Sequence, residues 1–327
     1  MIAWTDTGTV AGFRLFLVVS SMVVGGLAAI STIAAFFGGT WWPFDYLANL
    51  RWYFLWILLL ASIVYALTAK GWLLTVFIAA LALNASLIAP LWIGSQPQST
   101  GENSIHIVHL DAHGGFDNKD AAMLWLRDSE ADIVLVAGGT SEIIDLAVTS
   151  DTDWIALVAP EIENTAGQVV LAKQEWDIAI TPTGQGSDTV LRITAGDADG
   201  AYDIITAWGP PASSGEKADR LQARLDTIKA VTQSATNPVV VIGNVGATLW
   251  THGMRNLVST TDLRDATKGE GYLSTSNVSG LPIVGGWVGL PLDVVLMTSA
   301  ITPITFTTGP DVGAGNLPVS VVFGPSA

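Results

Sequence analysis

The sequence predicts a chain in two parts, a three-helix membrane anchor over residues 1–93 and an α/β domain over residues 104–327. Three observations carry this reading. Long apolar runs fill the first part, the charge is concentrated in the second, and in the second part short strand-like runs alternate with amphipathic helical ones.

Half of the residues are hydrophobic and only 13% are charged, too apolar for an ordinary soluble chain. Residues 1–97 carry just Arg14, Arg51, Lys70, Asp6 and Asp45, whereas the remainder holds 11 Lys/Arg against 27 Asp/Glu. An anionic domain repels phosphate backbones, so nucleic acid is not an expected ligand. Cysteine is absent, which excludes disulfides and thiolate chemistry.

Taken in order, Leu15–Phe37 is uncharged and longer than the ~20 residues a helix needs to cross a bilayer. It is also too long for a signal-peptide core, and two further runs follow, so it reads as an uncleaved anchor. Ser21, Gly25 and Ala29 fall four apart on one helix face, as close packing in lipid requires. Trp52–Thr68 is the second span, with Trp52, Tyr53 and Trp56 suited to the interface, and Trp72–Ile93 is the third. Within it, Asn84 reads as a helix-to-helix hydrogen bond. Arg14 and Lys70 share one side of a three-span bundle, and Arg51 lies on the other. The positive-inside balance therefore places the N-terminus in the cytoplasm. In a bacterium this makes an inner-membrane, multi-pass protein with its C-terminal domain in the periplasm or outside.

Residues 94–103 are polar, with Pro, Gly and Ser, and read as a flexible linker. Beyond them, Ile105–Leu110 reads as a strand, and Asp117 as the cap of a helix to about Ser129 whose apolar face includes Ala121, Leu124 and Trp125. Ile133–Val136 reads as a buried strand. Glu216–Ser234 reads as a helix with Leu221, Leu225 and Ile228 on one face and Arg220 and Arg224 beside it. Pro238–Ile242, Asp293–Met297 and Val319–Phe323 are further strands.

Four segments carry a resemblance. IVHLDAHGG from Ile107 places Asp111 at a strand end, and ADIVLVAGGT from Ala131 places Ala137 and Gly138 at the next. GNVGATLWT runs from Gly243 to Thr251, and LDVVLMTS from Leu292 precedes GAGNLPVSV from Gly313. In this order they resemble the endonuclease/exonuclease/phosphatase superfamily, in particular its small membrane-anchored bacterial members, over about Ser104–Ala327. That resemblance implies a two-sheet sandwich flanked by helices. It also implies phosphoester hydrolysis with Mg or another divalent cation, an Asp/Asn pair, and a His held by an Asp.

The same alignment implies that most of this chemistry is gone. Asp111 stands where the family has Asn, and Gly138 where it has the metal-binding Glu. In AWGPP (Ala207–Pro211), Trp208 replaces the upstream His. Asn244 and Gly246 replace the Asp/Asn pair, and Gly315 and Asn316 the terminal Asp-His pair. Asp293 survives without the His it would orient, while Gly243, Ala247, Thr248, Trp250 and Pro318 still match the framework. The expectation is a pseudoenzyme with no catalytic residues and no cofactor, acting as a binding or scaffolding subunit in the lipid bilayer beside a protein partner. The rival expectation is a metal-dependent phosphodiesterase or phosphatase with a relocated site. Alternation along one strand face makes His109, Asp111 and His113 its candidate ligands.

Overall fold

The computed structural model describes residues 7–69, 71–101, 103–112, 118–138, 153–157, 168–184, 188–197, 200–276 and 288–327. The chain divides into a helical unit and a larger two-sheet unit.

In the helical unit, α1 (Thr7–Ala34) runs into a 3-10 turn at Ala35–Phe37, and a short α2 (Trp42–Asn49) leads into α3 (Arg51–Thr68) and α4 (Leu73–Ile88). Three stretches, Val10–Phe37, Arg51–Thr68 and Leu73–Leu91, are long and apolar enough to cross a membrane. The small-residue face of α1 is its packing face: Ser21, Gly25 and Ala29 are buried. A side chain at Gly25 would come within 2.8 Å of Ala61 Cβ and the Phe77 ring. Large residues such as Phe13, Leu27, Leu60 and Leu67 point outward, as lipid-facing positions do.

Asn84 makes helix-to-helix hydrogen bonds, as expected, but its setting is more polar than the sequence indicates. Its Nδ2 donates to Thr32 Oγ1 at 2.8 Å, and Arg51 Nη1 donates to its Oδ1 at 3.3 Å. The Arg51 guanidinium lies 4.5 Å from the Phe36 ring centre. Arg51 is therefore enclosed by the bundle instead of decorating its flank. Trp52, expected at the interface, is buried as well.

The second unit begins with β1 (Ile105–Asp111), α5 (Lys119–Asp128), β2 (Ile133–Ala137), β3 (Trp154–Leu157) and β4 (Gln168–Lys173). It continues with β5 (Asp177–Thr183), β6 (Val190–Asp197), β7 (Gly200–Ala207), α6 (Gly215–Ser234) and β8 (Val239–Asn244). It ends with α7 (His252–Thr260), β9 (Arg264–Asp265), β10 (Asp293–Met297), β11 (Ile301–Thr308) and β12 (Val319–Pro325). One sheet has the order β11-β12-β1-β2-β4-β3, the other β5-β6-β7-β8-β10-β9. Parallel pairs β1–β2 and β7–β8 lie inside otherwise antiparallel sheets.

The two-residue period of the strands sorts their side chains into layers. Ile105, Ile107, Ile133 and Leu135 face Ile204, Val240, Ile242, Val295 and Met297 between the sheets. Val108, Leu110, Val134 and Val136 pack outward on Ala122, Met123 and Leu126 of α5. Val239, Val241, Val294 and Leu296 pack outward on Leu221, Leu225 and Ile228 of α6. The result is the two-sheet sandwich flanked by helices that the resemblance implied.

Three local expectations are corrected. The α5 cap is Asn118, whose Oδ1 accepts the Ala121 N–H at 3.0 Å; Asp117 lies outside the described residues. With the helix starting there, Ala122, Met123 and Leu126 turn inward and Leu124 is exposed. The supposed linker is also tied down. Gln96 Nε2 donates to the Asp265 and Lys268 carbonyls, Pro97 O accepts from Thr302, and Ser99 pairs with Ser326.

Candidate functional site

Strand parity builds the site. The positions that send Ile105 and Ile107 inward also send His109 and Asp111 inward, at the C-terminal end of β1. The register that sends Val240 and Ile242 inward from β8 does the same for Asn244, and Asp293 opens β10 beside Val295. Asn244 and Asp293 are direct cross-strand partners. The apolar layer between the sheets thus ends in a polar one.

Asp111 stands at the centre of that layer. Its Oδ2 accepts Asn244 Nδ2 at 2.8 Å and Asn316 Nδ2 at 3.0 Å, and its carboxylate accepts the Trp208 indole N–H. Asn244 Oδ1 accepts the Gly246 N–H at 3.0 Å, which orients its amide with the NH2 toward Asp111. His109 Nδ1 lies 2.8 Å from Asp293 Oδ1, a close polar contact and not an aligned hydrogen bond. Asp293 therefore has a His beside it, contrary to expectation. It comes from β1, not from the terminal Asp-His position. His109 and Asp111 are only 1–2% exposed.

Gly138 follows β2 directly, next to the register pair Asp111–Ala137, with a φ of +74°. Gly315 sits one residue before Asn316 with open space around it. Gly246 is different. A Cβ there would meet Pro210 O and sit 2.6 Å from Gly209 O. The space beside Gly246 is thus filled by the backbone of the AWGPP segment. Behind that segment lies Arg224, expected beside the helix face but buried. Its Nη1 donates to Val245 O at 3.0 Å, its Nη2 reaches Asp188 Oδ1 at 3.3 Å, and its guanidinium packs on Gly209. Sequence reasoning missed this support. His106, of opposite parity to His109, points away and pairs with Ser320 Oγ at 2.7 Å. His113 lies outside the described residues.

The described residues do not by themselves form a set of divalent-cation ligands. Such an ion requires converging carboxylate or imidazole acceptors, and among the described residues no three His, Asp or Glu side chains form such a set. Asp111 Oδ2 is occupied by two amide donors.

Burial, with the Asp293 charge as a second cause, raises the Asp111 pKa; the His109 charge and the donors Asn244 and Trp208 oppose the shift. The sign follows from linkage. The folded state holds the Asp111 proton more tightly than the unfolded chain. The resulting stabilisation is complete below the unfolded value of about 4 and is lost as pH rises through the raised folded value. Asp111→Asn removes this titration. Between about pH 4 and neutrality its stability should fall less steeply with rising pH than that of the wild type. Melting curves across a pH series test this, and parallel curves for the two proteins would refute it.

No protein-family model and no curated protein matches the chain. Solved structures do. The endonuclease/exonuclease/phosphatase from Bacteroides vulgatus is 13% identical with a TM-score of 0.54, over 68% of this chain and 100% of that one. The human Nocturnin catalytic domain with bound sulfate is 12% identical with a TM-score of 0.54, over 71% and 100%. D. rerio TDP2 carrying 14 humanizing mutations is 11% identical with a TM-score of 0.53, over 67% and 98%. The two-sheet unit, with its polar layer at one end of the sandwich, therefore has the endonuclease/exonuclease/phosphatase fold.

Proposed function

We propose that the protein is a membrane-anchored, non-catalytic relative of these enzymes that serves as a binding or scaffolding subunit, without a metal cofactor, for a protein partner at the membrane. The observation that carries this reading is the closed site. Backbone fills the Gly246 position, and amide donors hold Asp111 where metal chemistry would need acceptors. An acidic surface further disfavours nucleic acid as the ligand.

We place the N-terminus in the cytoplasm and the domain in the periplasm or outside. The enclosure of Arg51 supports this: the α1–α3 connection carries Asp45 and no exposed Lys or Arg, while Arg14 lies at the opposite end of the bundle and Lys70 falls in the α3–α4 connection in sequence.

One observation favours the alternative, a hydrolase with a relocated site. His109 Nε2 and both Asp293 carboxylate oxygens are buried without a hydrogen-bond partner among the described residues, as a displaced acid–base pair would be. A hydrolysis assay separates the two. The purified protein with Mg²⁺, Mn²⁺ or Ca²⁺ is expected to release no more product from phosphomonoesters or phosphodiesters than a no-protein control. Metal-dependent turnover above that control would overturn the non-catalytic reading.

A further inference from the structure

We infer that the groove between the start of α1 and the end of α3 is a binding site for one anionic phospholipid, its phosphate on Arg14 and an acyl chain along the groove floor. The inference does not depend on whether the two-sheet domain is catalytic.

The groove has a volume of about 760 Å³ and is lined by Ala11, Leu15 and Val18 of α1 and by Thr68 and Ala69 where α3 ends, with Arg14 among them. This lies within the ~300–1,000 Å³ of ordinary ligand sites. Its floor is hydrocarbon, which a free phosphate ion would not use and an acyl chain would.

Arg14 is the fifth residue of the apolar stretch Val10–Phe37. A cation so placed reaches for the membrane interface or for a partner. Among the described residues it makes no ion pair, and its one hydrogen bond runs from Nε to Thr68 O at 2.9 Å. That bond fixes the plane of the guanidinium and leaves its Nη donors open. Two parallel N–H groups match two phosphate oxygens. The side chain is exposed at the groove. The same end of the bundle carries Lys70 in sequence, and a basic bundle end faces the leaflet where anionic lipids are enriched. A zwitterionic lipid would bring its own cation to Arg14, so the charge complementarity selects a net-anionic headgroup.

The test uses the full chain, delipidated in a mild non-ionic detergent and exposed to phosphatidylglycerol or phosphatidylcholine at equal ratios. Bound lipid is then counted by native mass spectrometry. Phosphatidylglycerol should be retained in preference to phosphatidylcholine as a single tight adduct. Arg14→Gln should reduce that retention about tenfold and Arg14→Lys by less, because an ammonium keeps the charge but loses the paired donors. Arg14 also caps α3, so helicity is followed in parallel. If Arg14→Gln lowers helicity, Ala11→Trp decides the matter: it blocks the groove with the guanidinium intact and should lose the adduct as well. Equal retention of the two lipids, unchanged phosphatidylglycerol binding in Ala11→Trp, or displacement by inorganic phosphate at matched concentration would each overturn the proposal.

Discussion

Gly246→Asn, which installs an amide where the family resemblance implies one, is expected to destabilise the two-sheet unit by about 3 kcal/mol or more. Two costs add. Gly246 has a φ of +82°, which any side chain occupies under strain. Its Cβ would also press on the Gly209 and Pro210 carbonyls. Backbone cannot rotate aside as a flexible side chain can, and Arg224 packs on Gly209. Gly315→Ala supplies the control. Its φ is also +82°, but nothing lies within 4 Å of the added carbon, so the expected cost is about 1 kcal/mol from the backbone alone. Thermal melting of the detergent-solubilised chain measures both. For a unit of this size 3 kcal/mol corresponds to a loss of roughly 6–12 °C. Equal melting temperatures for Gly246→Asn and wild type would show that the AWGPP backbone does not occupy the site.

Asp293→Ala is the second large expectation. Asp293 and His109 are both buried, and they bring the two sheets together from β10 and β1. Removing the carboxylate leaves an imidazole facing a void, a change that costs about 2–4 kcal/mol when one partner of a buried polar pair is lost. Asp293→Asn keeps the volume and a polar group, so its cost should be closer to about 1 kcal/mol. A second readout comes with it. The Asp293 charge is one cause of the raised Asp111 pKa, so the Asn variant should move the Asp111 titration, followed by NMR, back toward the ordinary carboxylate range. If Asp293→Ala proves as stable as Asp293→Asn, the His109 contact is incidental. An unmoved Asp111 titration would mean that the two carboxylates do not sense each other.

These two variants address the parts of the site that differ most in how far they could be read from sequence. Strands with continuous apolar runs, such as Ile133–Ala137 and the Val294–Met297 part of β10, were legible because burial on both faces leaves no polar position in the run. So was α6, whose 3.6-residue period is regular. The β5–β6 hairpin was not. β5 reads DIAITPT with most of its side chains partly or wholly exposed, and a weak alternation interrupted by Pro and Thr resembles a loop. Within the site, the strand ends Asp111, Gly138, Asn244 and Asp293 could be placed from four ordered segments. The His109–Asp293 contact joins distant parts of the chain, and no local pattern announces it. The signal that could have found it was parity: His109 is in phase with Ile107, and Asp293 with Val295. Arg51 misled for a related reason. Beside an aromatic-rich run it reads as a flank charge, and only the fold reveals Thr32 and Asn84 converging on the same point.

The position of β12 bears on how the protein is made. β1 has β2 on one side and β12 on the other, with Ile105 opposite Phe323. A chain leaving the ribosome emits β1 early and its second neighbour last. Until that final strand emerges, β1 lacks half of its backbone partners and β11 has nothing to pair with. Such long-range closure makes assembly slow, and the sheet cannot close before β12 joins β1. The three apolar helices contact one another through nearer segments and are complete long before. Synthesis therefore orders the events in time: the bundle can be finished first, and the sandwich closes only after β12 has emerged.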